Sequence, residues 1–117
     1  VPRVLIVDDD PLVLRIERVA LTRAGFEVSA ATSILEAEAE LGRATPQAVL
    51  IDLFLGADSG LDLVRTLRQR GFDGALVAIS GDALEQEALA AGAHHFLAKP
   101  FSPAQLVACV ERLVSPR

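Results

Sequence analysis

Four short apolar runs, each stopping abruptly at a polar residue, limit what this 117-residue chain can become. Val4-Leu5-Ile6-Val7 runs into Asp8-Asp9-Asp10, Ala48-Val49-Leu50-Ile51 into Asp52, Ala75 to Ile79 into Ser80, and Phe96-Leu97-Ala98 into Lys99-Pro100. A run with no polar alternation reads as a strand covered on both faces. Phe26 to Ala30 is a weaker fifth strand. Helical segments fill the intervals. Asp10-Pro11 reads as an N-cap with proline at the first helical position. Leu12, Ile16, Val19 and Ala20 then form a stripe, with Arg15, Glu17 and Arg18 off it and Gly25 ending the helix. Ser33 to Glu36 is a capping box for a second helix ending near Gly42. A glycine-rich loop from Gly56 to Gly60 leads to a helix carrying Leu61, Val64 and Leu67. Asp82 is expected to cap a short helix stopping at Gly92. Ser102-Pro103-Ala104-Gln105, a second capping box, opens a helix carrying Leu106, Val107, Val110, Leu113 and Val114.

Alternating strands and helices of this kind predict an α/β domain with five parallel strands, five helices and right-handed crossovers. The length suits one domain spanning residues 1–117. With 51% hydrophobic and 23% charged residues the chain is expected to be folded and soluble. No apolar run approaches the ~18 residues of a membrane span, and no signal peptide opens the chain. One cysteine, Cys109, fits a reducing cytoplasm. The net charge of −5 argues against nucleic-acid binding. The absence of methionine, even at position 1, leads us to expect a piece of a longer polypeptide.

In an open parallel sheet, ligands bind at the carboxyl ends of the strands. Asp8, Asp9, Asp52, Ser80 and Lys99 are therefore expected at one edge. Two like charges ~4 Å apart cost about 4 kcal/mol at an effective dielectric near 20. The acids must take up a proton, be held apart or bind a cation. Mg²⁺, a hard ion that also recruits phosphate, fits best. Lys99, the only lysine, and the Ser80 hydroxyl would face an incoming phosphoryl group. The chemistry indicated is phosphoryl transfer, with Asp52, alone at its strand end, as nucleophile.

These residues together resemble the receiver domain of two-component response regulators, chemotaxis regulators among them, over essentially the whole chain. The match is to an acidic pair (Asp8, Asp9), a later aspartate (Asp52), a hydroxyl residue (Ser80) and Lys99-Pro100, each after its own strand, with Gly60, Gly92-Ala93 and Phe101 also in place. The resemblance implies a flavodoxin-like doubly wound sheet in the order 2-1-3-4-5. It implies that Asp52 takes a phosphoryl group from a phosphohistidine of a sensor histidine kinase or histidine phosphotransfer protein. Mg²⁺ would be held directly by Asp9, partly through water by Asp8, and by Asp52 and the Phe54 backbone carbonyl. Ser80 and Lys99 would contact phosphoryl oxygens, and Ser80 and Phe96 would form the conformational switch that regulates an output partner or domain. The Lys99-Pro100 bond is expected to be cis. A kinase would dock on the first helix and the Pro100-Phe101-Ser102 loop. The domain would catalyse only its own phosphorylation and dephosphorylation, bind neither membrane nor nucleic acid, and work in the cytoplasm.

There are departures. Gly56 stands where the family often has proline, and Ser80 to Gly92 is about one helical turn shorter than usual. Gln105 and Cys109 replace charges familiar in regulators with winged-helix DNA-binding domains. From another class, a small phosphatase of the haloacid-dehalogenase type would use Asp8 and Asp10 with Ser80 and Lys99. That alternative leaves Asp52 without a role and has no room for a cap. A nucleotide site lacks its glycine-rich phosphate loop. The adjacent His94 and His95 read as a solvated strand start rather than a metal site, Cys109 as a packed residue, and Arg65, Arg68 and Arg70 as a solvated helix face.

Overall fold

A computed structural model describes residues 1–114; the last three residues of the expected domain lie outside the described residues. Twelve elements follow in order: β1 (Arg3–Val7), α1 (Pro11–Arg23), β2 (Glu27–Ala31), α2 (Ile34–Arg43), β3 (Ala48–Asp52), β4 (Phe54–Leu55), β5 (Asp58–Ser59), α3 (Gly60–Gln69), β6 (Ala75–Ser80), α4 (Glu85–Ala91), β7 (His95–Ala98) and α5 (Pro103–Leu113). The five longer strands form one parallel sheet in the order β2-β1-β3-β6-β7, which is the expected 2-1-3-4-5.

Side chains alternate across this sheet. Val4, Ile6, Leu50, Val77 and Ile79 face one way, against Leu14 and Leu21 of α1 and Leu106, Cys109 and Val110 of α5. Leu5, Val7, Val49, Ile51, Leu76 and Ala78 face the other, against Ala37 of α2, Leu63, Val64 and Leu67 of α3 and Ala88 of α4. Each fully buried aliphatic side chain contributes ~1.5–3 kcal/mol. The central strand β3 is buried at every position.

Local signals set several boundaries as expected. Asp10 accepts from the Leu12 N–H and Pro11 opens α1, while Ser102 and Gln105 form a reciprocal capping box on α5. At α2 the box is shifted: Ser33 accepts from Glu36 N–H, but Glu36 turns back to the Thr32 N–H and hydroxyl. The Lys99-Pro100 bond is cis.

Four expectations are corrected. On α1 the inward residues are Leu14, Glu17 and Leu21, while Leu12, Ile16 and Val19 are 62, 51 and 44% exposed. The Gly56–Gly60 segment is not all loop: β4 and β5 pair antiparallel around Gly56, whose φ of 61° suits glycine at the turn. Asp82 does not cap α4. Its N–H donates to Ser80 Oγ and its carbonyl accepts from Leu84 N–H, so a turn intervenes and the seven-residue helix starts at Glu85. Arg68 is no solvated side chain: its guanidinium donates to the carbonyls of Gly92 (2.7 Å), Phe72 (2.5 Å) and Gly74 (3.2 Å) and lies 2.6 Å from His94 Nδ1.

Candidate functional site

Parallel strands deliver their carboxyl ends to one edge, so β1, β3, β6 and β7 bring Asp8, Asp52, Ser80 and Lys99 together there. Asp8, Asp52 and Ser80 are almost wholly buried, at 3, 5 and 1% exposure. Asp9 and Asp10 are exposed. Lys99 joins the set across the sheet. Its Nζ donates to Asp52 Oδ2 at 2.5 Å and lies 3.8 Å from Asp8 Oδ2.

Backbone donors fix the carboxylates. Asp52 Oδ1 accepts from the Phe54 N–H at 2.8 Å, and Asp8 Oδ1 accepts from the Asp10 N–H at 2.9 Å. Ser80 Oγ accepts from the Asp82 N–H at 3.0 Å. Gly60 closes the floor: a Cβ there would collide with the Asp52 carbonyl oxygen. Across the β4–β5 turn, a Cβ on Gly56 would stand 3.8 Å from Asp9 Oδ2, so Asp9 leans over the rim of the same edge.

Burial pushes Asp8 up to about 6, the Asp10 N–H opposes this, and the charge of Asp52 adds to the rise while Lys99 offsets it. Burial works against the Lys99 ammonium, but the hydrogen bond and charge of Asp52, then Asp8 and Glu17, leave it held above its ordinary value. The lysine is the counter-ion of this edge.

Among the described residues, no three acidic, histidine or cysteine side chains are gathered to hold a metal ion. Mg²⁺ is a hard ion that takes oxygen donors and keeps several waters. The donors are all oxygen, two of the carboxylates are buried, and a third stands at the rim, so the set fits the ion. Asp10 gives one carboxylate oxygen to the Leu12 N–H as the N-cap of α1.

Other expected residues fall as follows. Phe96 is half-buried against the Ala88 and Ala93 side of the core. Phe54 lies 54% exposed beside Asp52. His95 enters β7 while His94 precedes it, accepts from the Leu76 N–H and is held below its ordinary pKa by burial and by Arg68. Cys109 is buried as expected.

Glu17, expected only to lie off the apolar stripe of α1, is 4% exposed, with Oε2 lacking any hydrogen-bond partner. Burial, then the charge of Asp8, pushes it up to about 7. The available signal was its spacing, midway between Leu14 and Leu21.

Comparison with known proteins gives a consistent picture. Residues 4–111 match the response regulator receiver domain family. The chain is 37% identical over 107 residues to the alginate biosynthesis transcriptional regulatory protein AlgB of Pseudomonas aeruginosa, covering 89% of this chain and 24% of that protein. It is 36% identical over 119 residues to the transcriptional regulatory protein PrrA of Mycobacterium leprae, covering 99% and 51%. The chain thus spans about a quarter to a half of the length of the curated relatives it matches. Among solved structures it is similar to the Vibrio cholerae chemotaxis protein CheY4, with TM-score 0.90, 26% identity and coverage of 97% and 98%. The receiver domain of NtrX from Brucella abortus gives 0.87, 27%, and 94% and 96%.

Proposed function

The chain belongs to the response regulator receiver domain family, and we propose that Asp52 is its phosphoacceptor, taking a phosphoryl group from a phosphohistidine in a Mg²⁺-dependent reaction. The observation that carries this is the buried Asp52 carboxylate at the sheet edge, steadied by the Phe54 N–H on one oxygen and Lys99 on the other. In the reaction the P–N bond of the donor breaks, a bond forms between phosphorus and an Asp52 oxygen, and the electron pair of the broken bond stays on the histidine nitrogen. The product is an acyl phosphate, and the chemistry asks mainly for positioning and charge neutralisation.

Mg²⁺ held by Asp8, Asp9, Asp52 and the Phe54 carbonyl would supply positive charge to the incoming phosphoryl oxygens. Lys99 supplies a second positive charge and, with a compact ammonium, suits a single oxygen. The Ser80 hydroxyl donates to another. Phosphorylation places about −1.5 to −2 charges at this point. Drawing Ser80 toward them opens room for Phe96 to move from its half-buried position, and the shift biases the output surface.

The domain is read as one receiver unit over residues 1–117, acting in signalling and catalysing only its own phosphorylation and dephosphorylation. Its donor is a histidine kinase or histidine phosphotransfer protein, and its output a partner or attached domain. The exposed Leu12, Ile16 and Val19 of α1 beside the Pro100-Phe101-Ser102 loop support docking there. Among the described residues no helix is long and apolar enough to cross a membrane.

Incubation with acetyl phosphate and Mg²⁺, followed by intact-mass measurement, tests the assignment. A single phosphoryl adduct that disappears in Asp52→Asn is expected; an adduct that survives the substitution refutes it.

A further inference from the structure

We propose that the cleft between α1 and α5 receives a lysine or arginine side chain from the protein that donates the phosphoryl group, with Glu17 as its counter-ion. This rests on the phosphodonor reading above and adds a recognition element to it. The cleft encloses about 300 Å³ beside Lys99 and Pro100, walled by Val13, Ile16, Phe101, Pro103 and Leu106. That is the small end of ligand-sized cavities and suits one side chain.

Glu17 lines the same cleft. Asp8, Asp52 and Ser80, the other buried polar side chains among the described residues, all hold hydrogen bonds. Glu17 Oε2 holds none. A buried polar group without a partner is rare and asks for an explanation. Lys99 does not provide one: its ammonium hydrogen-bonds Asp52 and also approaches Asp8, and it makes no ion pair with Glu17. An apolar cleft with an acid in its wall matches a guest with an aliphatic stem and a cationic head.

Two observations favour a protein guest. Ile16 belongs both to the cleft and to the exposed Leu12-Ile16-Val19 stripe, so the channel opens from an apolar footing already suited to a helix. The cleft also adjoins Lys99 at the phosphoacceptor edge, within reach of a donor whose phosphohistidine meets Asp52. Arg15 and Arg23 line the neighbouring groove beside Ile16 and Val19 and repel a cation there, which leaves Glu17 as the acid that meets it. Glu17, pushed up to about 7 when empty, would be held ionised by the guest.

The test uses a helical peptide with leucines on one face and a single arginine, its norleucine twin, and n-butylguanidinium. Binding is followed by NMR through the methyl groups of Val13, Ile16 and Leu106. The arginine peptide should bind saturably, and its norleucine twin about tenfold or more weakly. Glu17→Gln, which keeps the shape, should abolish that preference, and Glu17→Met should give the same loss. Equal binding of the twins, a preference that survives Glu17→Gln, or n-butylguanidinium binding as tightly as the peptide would overturn the proposal. Acetyl phosphate should still place a single label on Asp52 in the same variants, showing that they fold with the acidic edge intact. If wild type itself takes no label, the phosphoacceptor reading fails while the peptide result still judges the cleft.

Discussion

Glu17→Met should stabilise the protein at pH 8 and do much less at pH 5, because the carboxyl it removes is buried without a partner. In the unfolded chain this glutamate titrates near 4.5, and in the folded protein near 7. Below 4.5 both states hold the proton and Glu17 has no pH-dependent effect. Between the two values the unfolded chain releases its proton while the folded one keeps it, so stability falls as pH rises. Above about 7 the loss is complete. A difference of about 2.5 pKa units at 1.36 kcal/mol each gives about 3 kcal/mol. Methionine keeps the unbranched stem and removes the charge. The gap between variant and wild type should therefore widen by about 2–3 kcal/mol from pH 5 to pH 8. For a domain of this size that corresponds to roughly 10 °C in melting temperature. Urea unfolding followed by circular dichroism at the two pH values measures it. Glu17→Gln should show the same pH dependence from a lower baseline, since its amide stays buried and unpaired. A gap that stays constant with pH would refute the reasoning.

Arg68→Ala should cost about 2–3 kcal/mol in urea unfolding, because the carbonyls of Gly92, Phe72 and Gly74 all lose their donor. Arg68→Lys should recover less than half of that, since one ammonium cannot span three acceptors, and a fully stable lysine variant would contradict the clamp. Gly60→Ala should cost about 1–3 kcal/mol and slow phosphoryl labelling, because the new methyl meets the Asp52 carbonyl and would lie 2.7 Å from the Leu53 Cα. Wild-type stability and labelling would show that the loop yields. Phe54→Asn should shorten the lifetime of the acyl phosphate by removing an apolar ring beside Asp52, and an unchanged lifetime in a phosphate-release assay would exclude shielding.

The strand ends were legible because a parallel sheet leaves so little choice. Strands covered on both faces must be apolar throughout, and parallel packing puts their last residues on one edge. Asp8, Asp52, Ser80 and Lys99 could thus be grouped before any distance was known. The role of Arg68 was not legible in this way. Two of its carbonyl partners, Phe72 and Gly74, lie in the turn before β6 and the third, Gly92, at the end of α4, and no periodic pattern of residue types links the three. Asp82 misled for the opposite reason. It has a good capping side chain, but the Ser80 hydroxyl captures its N–H and draws the chain into a turn first.

The phase of α1 is the most instructive failure. Positions 12–14, 16 and 19–21 are all apolar, so more than half the helix circumference could face the sheet. Choosing the stripe free of acids selects Leu12, Ile16 and Val19; the structure buries Leu14, Glu17 and Leu21 instead. Only Asp8, Asp9 and Asp10 separate β1 from α1, and their bonds leave no slack: Asp8 holds the Asp10 N–H and Asp10 holds the Leu12 N–H. The short turn that presents the acidic edge therefore also fixes the rotation of the helix leaving it. Burying Glu17 costs about 3 kcal/mol at alkaline pH, and leaving Leu12 and Ile16 in water forgoes up to ~1.5–3 kcal/mol each. The opposite phase would hide the stripe and solvate the acid, but it would draw Leu14 and Leu21 out of the core. The turn and those two leucines hold the observed rotation, which puts an apolar footing on the surface and an unpaired carboxylate beneath it.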